Sequence, residues 1–511
     1  MSVHQLLAGA VQKCPKATAI QFEGLSVTWA QLQQRVAARA QMLKQLGLQP
    51  GDRVAVLSAN VPECMEAHFS VFWAGMVLVP LNTRLSVVEQ TYILDHCDCS
   101  HLFFDERNAH LAGQLVQQLP ELRHSPLTPI SQWGGRSDPL AGQAQMPFVH
   151  SAADATAAIF YTGGTTGKPK GVELTHIALL IQALAAKDNY ELSENTVFLH
   201  SAPMFHLADF VVSMASTAGL ACHSFMPEFS PVAVLDRIEK EGVNVVIMVP
   251  TMIAGVLEAA VGREAVLSRL HKIMYGTAPI QEPLLLQLLQ VVPTVELVQC
   301  YGQTEAGGGA TVLFPDRHVL EGPKAGKLKS AGQCIPAFML RIVNPEGEVV
   351  ANGDVGEIEL AGPGIMKSYW KEPELTAQVI QDGWLHTGDL GVLDDDGFVT
   401  IAGRLKDMII TGGENVFAGE VESALMFHEA VESAAVIGVP DAKWGESVHA
   451  VVCLKPGHSC TPQELIAFCR DRIAHYKAPR SLVLREGPLP VSGVGKVRKV
   501  DLLNEWKDLQ H

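Results

Sequence analysis

No apolar run in this chain reaches the roughly 18 residues that a membrane-crossing helix needs. The longest candidate, 71–81, is short and is broken by Gly75 and Pro80. The opening MSVHQLLAGAVQKC has no basic segment followed by a sustained apolar one. No secretion signal is expected, and a cytoplasmic location is. Positive charge is also scarce: 38 Lys and Arg stand against 54 Asp and Glu, a formal net charge of −16. That excludes a broad nucleic-acid-binding surface. It also means that local donors must hold any anionic substrate, because the global field repels it. Cysteines are ten and scattered, and only Cys97 and Cys99 are close. A lone CxC is a weak metal signal, so buried free thiols in a reducing compartment are expected. Internal repeats and low-complexity tracts are missing as well.

What is present is a long, well-packed globular chain. Its 511 residues exceed one ordinary core, and 48% hydrophobic with 18% charged residues excludes disorder. Thr28 with Gln31 makes a capping box for a helix. That helix would bury Leu32, Val36, Leu43 and Leu46 and end at Gly47. A strand at 54–57 and a helix started by Asn60 and Pro62 follow. The alternation continues: a strand at 196–199 and an apolar helix, a strand at 243–249 and a helix at 251–260, a strand at 272–275 and a helix at 283–291. It predicts an α/β fold with parallel sheets covered by helices. Near Ala331 the pattern changes to short hairpins, MLRIVNPEGEVV, GEIELAG and GFVTIAG. From Arg404 a compact α+β region of roughly 100 residues begins, marked by MIITGG, EVESAL, VESAAVIGVPD and the segment 462–474. The expected organisation is a large N-terminal domain, 1–403, with a small β unit at about 331–403, and a mobile C-terminal domain, 404–511. The join around Lys406 has almost no linker, which suits a hinge.

Residues 161–171 read YTGGTTGKPKG after an apolar strand at 157–160. Gly lets successive N–H groups converge, and Thr hydroxyls and Lys ammoniums suit phosphate oxygens. The spacing rejects a Walker A loop, because Thr162 stands where its first Gly belongs and Pro169 where its Mg²⁺-binding hydroxyl belongs. At 301–305, YGQTE follows a strand, so Thr304 and Glu305 would lie at the carboxyl edge of a sheet, where such folds bind ligands. Glu305 offers oxygen to Mg²⁺. In DGWLHTGD, Asp389 suits two vicinal ribose hydroxyls, though it equally suits a loop cap. Arg404 reads as a ribose or phosphate donor or as a surface salt bridge. Gly412 and Gly413, in MIITGGENV, suit a ligand approach or a hairpin turn. Lys496, after the Gly-rich 493–495, sits where one ammonium could swing into a site.

Together and in this order, these segments resemble the adenylate-forming superfamily of acyl-CoA synthetases, 4-coumarate–CoA ligases, beetle luciferases and peptide-synthetase adenylation domains. The resemblance runs from the Thr28 helix to Lys496. It implies that Thr162, Gly163, Gly164, Thr165, Thr166, Gly167 and Lys170 position the β- and γ-phosphates of ATP. Gly276, Ala278 and Pro279 would flank the adenine. Gly302 and Thr304 would contact the adenylate, Glu305 would hold Mg²⁺, and Asp389 and Arg404 the ribose. Lys496 would be the adenylation lysine and Lys406 the hinge, with Gly412 and Gly413 beside the passage for coenzyme A. The implied chemistry is activation of a carboxylate to an acyl-adenylate, then transfer of the acyl group to the CoA thiol.

Gly302 stands where the acetate-using branch resembling this family carries a blocking Trp. Small residues continue through Gly307 and Gly308, and His206 resembles the gate of the acyl pocket. A medium- or long-chain fatty acid or a bulky aryl acid is therefore expected. Asp209 would be costly beside an apolar tail, so it is expected to point outward or to bind a polar substituent. A stand-alone ligase loading a carrier protein is the main alternative. A homodimer is a further expectation. Pro490, Gly495 and Lys496 also resemble the site at which bacterial acyl-CoA synthetases are acylated, which implies a lysine acyltransferase and deacylase as partners.

Overall fold

The computed structural model describes residues 1–163, 168–278, 280–491 and 497–508. The chain divides into two compact units. The first comprises Met1–Thr277, Leu288–Met339 and Leu360–Leu385; the second comprises Ala278–Gln287, Leu340–Glu359 and His386–His511.

The first unit holds two sheets. One is nine-stranded. Its parallel heart runs from Thr18–Phe22 through Cys222–Phe225, Val197–His200, Val245–Met248 and Lys272–Gly276 to Glu296–Gln303. The strand Gly308–Leu313 then turns back antiparallel. The other sheet is seven-stranded. Parallel strands Arg53–Leu57, Val77–Pro80, Cys99–Phe104 and Thr156–Thr162 carry an antiparallel edge made by Lys170–Thr175 and Ser368–Tyr369. Both sheets follow the alternation of strands and helices in the sequence. Their core is built from strand residues such as Ala55, Val79, Leu102 and Ile159 packed on Ile93 and Leu115 of the helices.

Local signals act as their chemistry requires. Thr28 Oγ1 accepts the Gln31 N–H at 3.3 Å and Gln31 Oε1 accepts the Thr28 N–H at 2.9 Å. The helix that they start, Trp29–Gln45, buries Leu32, Val36 and Leu43. Leu46, expected on the same stripe, is 38% exposed. It is the C-cap, beyond the last helical turn, so the stripe no longer governs where it points. Within 462–474, a segment of the C-terminal α+β region, the chain forms the helix Pro462–Arg470.

In the second unit, residues 389–393 of the strand Trp384–Leu393 pair antiparallel with Val399–Arg404. A five-stranded sheet of Glu414–Phe417, Met408–Thr411, Gly445–Leu454, Val431–Asp441 and Ser481–Leu484 forms the C-terminal part. Its core joins Ile409, Val436 and Val448 to Val421, Leu425 and Leu465 of two helices. Among the described residues, no helix is long and apolar enough to cross a membrane.

Candidate active site

The phosphate-loop candidate is the connection of a hairpin. Thr162 on Thr156–Thr162 lies opposite Lys170 on Lys170–Thr175. Gly163 follows and is exposed. Gly164, Thr165, Thr166 and Gly167 lie outside the described residues, as do Pro279 and Lys496. The base of the hairpin is anchored on the helix Val87–His96: the Tyr161 hydroxyl meets His96 Nδ1 at 2.7 Å. Lys168 Nζ lies 5.6 Å from the centre of the Tyr92 ring.

The strand Glu296–Gln303 leads directly into the turn Thr304–Ala306, so Thr304 and Glu305 lie at its carboxyl end. Gly276, at the end of the neighbouring strand, pairs with Cys300. Gly302 has a packing reason beyond the open acyl pocket expected of it. A Cβ there would stand 1.9 Å from the Gly308 carbonyl oxygen, so any side chain would force the two strands apart. Glu305 Oε1 accepts a hydrogen bond of 2.8 Å from the Tyr369 hydroxyl. Thr304 and Glu305 offer only oxygen donors, which fit Mg²⁺. Among the described residues no group of three or more His, Cys, Asp or Glu could hold a metal ion, Cys97 and Cys99 included. One carboxylate supplemented by substrate phosphates is the ordinary way to hold Mg²⁺.

His206 caps the helix Leu207–Ala218 and is half-buried. Asp209, one turn on, does not point outward: its exposure is 0%. Its Oδ1 lies 2.6 Å from His200 Nδ1, and His200 Nε2 lies 3.0 Å from His223 Nδ1. Thr217 Oγ1 completes the chain 3.3 Å from His223 Nε2 and donates to the Ser213 carbonyl at 3.0 Å. That last bond sets the direction of the others. Thr217 has spent its proton, so His223 donates to it, His200 donates to His223, and protonated Asp209 donates to His200. Burial agrees, pushing the Asp209 carboxyl well up and the His200 imidazole down to about 3. The run from Asp209 Oδ1 to Thr217 needs no formal charge, while Asp209 Oδ2 is buried without a hydrogen-bond partner among the described residues. Asp209→Asn keeps a donor and should unfold within about 1 kcal/mol of wild type. Asp209→Ala should lose about 1–3 kcal/mol, because it leaves a buried ring nitrogen unpaired. Urea unfolding of both variants checks this, and a large loss in Asp209→Asn would mean that the carboxyl is ionised.

The remaining candidates belong to the second unit. Asp389, buried, lies opposite exposed Arg404, whose Nε stands 3.1 Å from Asp389 Oδ1. Lys406 is exposed on the short turn Leu405–Asp407. Gly412 and Gly413 form a hairpin turn between Thr411 and Glu414, with φ of 62° and 85°. Trp444 covers this turn: a Cβ at Gly412 would meet its ring at 2.7 Å. Arg480 and Lys443 lie 4.3 and 4.6 Å from the same indole. Thr162, Lys170, Gly276, Gly302, Thr304, Glu305, Gly307 and Gly308 thus lie in the first unit, and Ala278, Asp389, Arg404, Lys406, Gly412 and Gly413 in the second. Tyr369 and Trp444 belong to no motif quoted above, and strand pairing of distant segments brings each to its glycine-rich turn.

A family model described as AMP-binding enzyme matches residues 7–370, and one described as AMP-binding enzyme C-terminal domain matches 420–496. The chain is 38% identical to a feruloyl-CoA synthase of Amycolatopsis sp., over 95% of this chain and 95% of that protein. It is 34% identical to the fatty acid–[acyl-carrier-protein] ligase ScoC of Streptomyces coeruleorubidus, over 97% and 94%. Among solved structures, ATP-bound MatB from Rhodopseudomonas palustris superposes with a TM-score of 0.90 at 30% identity, over 100% of both chains. The chain therefore belongs to the AMP-binding enzyme family, the adenylate-forming proteins that its motifs resemble, and it is an AMP-forming acid–thiol ligase that uses ATP and Mg²⁺.

Proposed function

We propose that the carboxylic acid is a bulky aryl acid with polar ring substituents, of the hydroxycinnamate kind, and that coenzyme A is the acceptor. One observation carries this reading. Beside Gly309 lies a cavity of about 20 Å³, lined also by Gln182, Asn189, Tyr190, Val211, Cys300 and Ile335 among others. That is room for about one water-sized group. An amide, a phenol and a thiol suit a hydroxyl or methoxyl on a ring better than the methyl end of an alkyl chain. The feruloyl-CoA synthase relative supports the same class. The fatty-acid ligase relative keeps a long alkyl acid as the second reading.

The chain's residues divide the work. Thr162, Gly163 and Lys170, with Gly164, Thr165, Thr166 and Gly167 between them, hold the β- and γ-phosphates. Gly276, Ala278 and Pro279 border the adenine, and Asp389 and Arg404 hold the ribose. The substrate carboxylate attacks the α-phosphorus in line, and pyrophosphate leaves. Lys496 and Thr304 face the oxygens on which charge develops, each well-placed donor contributing about 3–4 kcal/mol. Mg²⁺ held at Glu305 supplies further neutralisation of phosphate charge. In the second half-reaction Lys496 withdraws about the Lys406 hinge, and the Gly412–Gly413 turn admits the thiol. The cations around Trp444 suit an anionic nucleotide such as coenzyme A.

A pyrophosphate-release assay over acetate, octanoate, palmitate, cinnamate and ferulate tests the acid. Ferulate should give the highest kcat/KM. Acetate should trail by about 10²-fold or more, since a single methylene in such a pocket is worth 10–200-fold. An acetate optimum would overturn the open pocket, and a palmitate optimum the aryl reading. Product analysis with coenzyme A against a holo-carrier protein decides the acceptor.

A further inference from the structure

The short strand Ser368–Tyr369 touches both halves of the phosphate and metal machinery. It pairs with Lys170–Thr175, Tyr369 lying opposite Val172, and the Trp370 N–H donates to the Gly171 carbonyl at 2.7 Å. Just upstream, the Met366 N–H donates to the Glu305 carbonyl at 2.8 Å. One stretch of backbone is therefore stitched to the phosphate hairpin at one end and to the Thr304–Glu305 turn at the other. Tyr369 bridges the same two elements with its side chain. Its hydroxyl donates to Glu305 Oε1 at 2.8 Å, and Lys170 Nζ lies 5.4 Å from the centre of its ring.

We propose that Tyr369 is a positioning residue that orients Glu305 for the metal ion and Lys170 for the phosphates, so that one side chain sets both. This rests on the roles given above to Glu305 and Lys170. A carboxylate with one oxygen held by a hydroxyl has its plane fixed before the metal arrives, which spares the cost of ordering it on binding. An ammonium over an aromatic face is held by the ring quadrupole, yet stays free to donate. The phenol is 6% exposed, so packing as well as the hydrogen bond fixes where its hydroxyl stands.

Electron paramagnetic resonance titration of the full chain with Mn²⁺, in the presence of α,β-methylene-ATP, reads metal affinity without turnover. Tyr369→Phe keeps the ring and loses the hydroxyl. Its Mn²⁺ dissociation constant should rise about 10–100-fold, the usual effect of removing a partner that orients a metal ligand. Its affinity for the nucleotide without metal should be unchanged. Tyr369→Leu loses the ring too and should weaken the metal-free nucleotide complex as well. Circular dichroism melts identify any variant that fails to fold, and Tyr369→Phe alters least. Wild-type Mn²⁺ affinity in Tyr369→Phe overturns the proposal. Glu305→Gln separates the two levels. If it loses Mn²⁺ while Tyr369→Phe does not, only the role of Tyr369 falls. If it binds Mn²⁺ like wild type, the metal-ligand role of Glu305 falls and the proposal with it.

Discussion

The Lys496→Ala enzyme should form acyl-adenylate about 10²–10³-fold more slowly than wild type. It should convert a supplied acyl-adenylate and coenzyme A to thioester at an undiminished rate. The two half-reactions need different groups. In the first, charge builds on oxygens around the α-phosphorus, and an ammonium there binds the transition state better than the ground state. In the second, AMP departs from a carbonyl, and on the proposed hinge motion the thiol enters where the lysine had stood. The lysine lies in the Gly-rich stretch of sequence between Val491 and Val497, two residues that form an antiparallel bridge. Nearby, the Arg498 N–H donates to the Pro490 carbonyl at 2.8 Å. ATP–pyrophosphate exchange measures the first half-reaction, and a synthetic acyl-adenylate with coenzyme A the second. Equal loss in both would contradict the assignment. Acylation of Lys496 removes its charge and should copy the alanine phenotype, which mass spectrometry of the modified chain can pair with the same two assays.

Local features that follow from residue type and short spacing are legible in the sequence. The Thr28–Gln31 capping box depends on a three-residue offset, and it forms. The strand–turn–carboxylate order of 296–305 depends on neighbours in sequence, and it puts Glu305 at a strand end. What stayed hidden depends on register between distant segments. Nothing in GPGIMKSYWKEPE says that Tyr369 reaches Glu305, because the pairing of Tyr369 with Val172 is a property of the folded sheet. Trp444 over Gly412 is the same kind of fact. Asp209 failed for a different reason. Charge-based reasoning gave it a carboxylate that points outward or binds a polar substituent, whereas His200 and His223, from two parallel strands, let it be buried as a neutral donor. Gly302 was legible as an opening but not as a contact, since only the Gly308 carbonyl shows that no side chain could stand there.

The first unit should lose stability steeply between about pH 6.5 and pH 4. Burial is the leading cause that holds His4, His101, His176 and His318 at about 4 and His68 and His200 at about 3; His223 is held well below the usual value. Each is neutral in the fold and takes a proton near pH 6.5 once unfolded. A depressed folded pKa contributes stability that is present above the unfolded pKa and is lost as pH falls towards the folded one. Each such imidazole steepens the loss by about 1.4 kcal/mol per pH unit in that window. Glu63, raised to about 7 by burial, works oppositely between about pH 7 and its ordinary range, and so does Asp209. Two carboxyls against this set of imidazoles reduce the slope without reversing it. A domain is stable by only about 5–15 kcal/mol, so one pH unit below 6.5 removes a large share. Urea midpoints at pH 7.5, 6.5 and 5.5 read the effect, and a flat profile would refute it. His101→Leu sharpens the test, because both ring nitrogens of His101 are buried with no hydrogen-bond partner. Removing that imidazole should lower the pH slope by one proton and raise stability at pH 5.5, where a merely structural histidine would do neither.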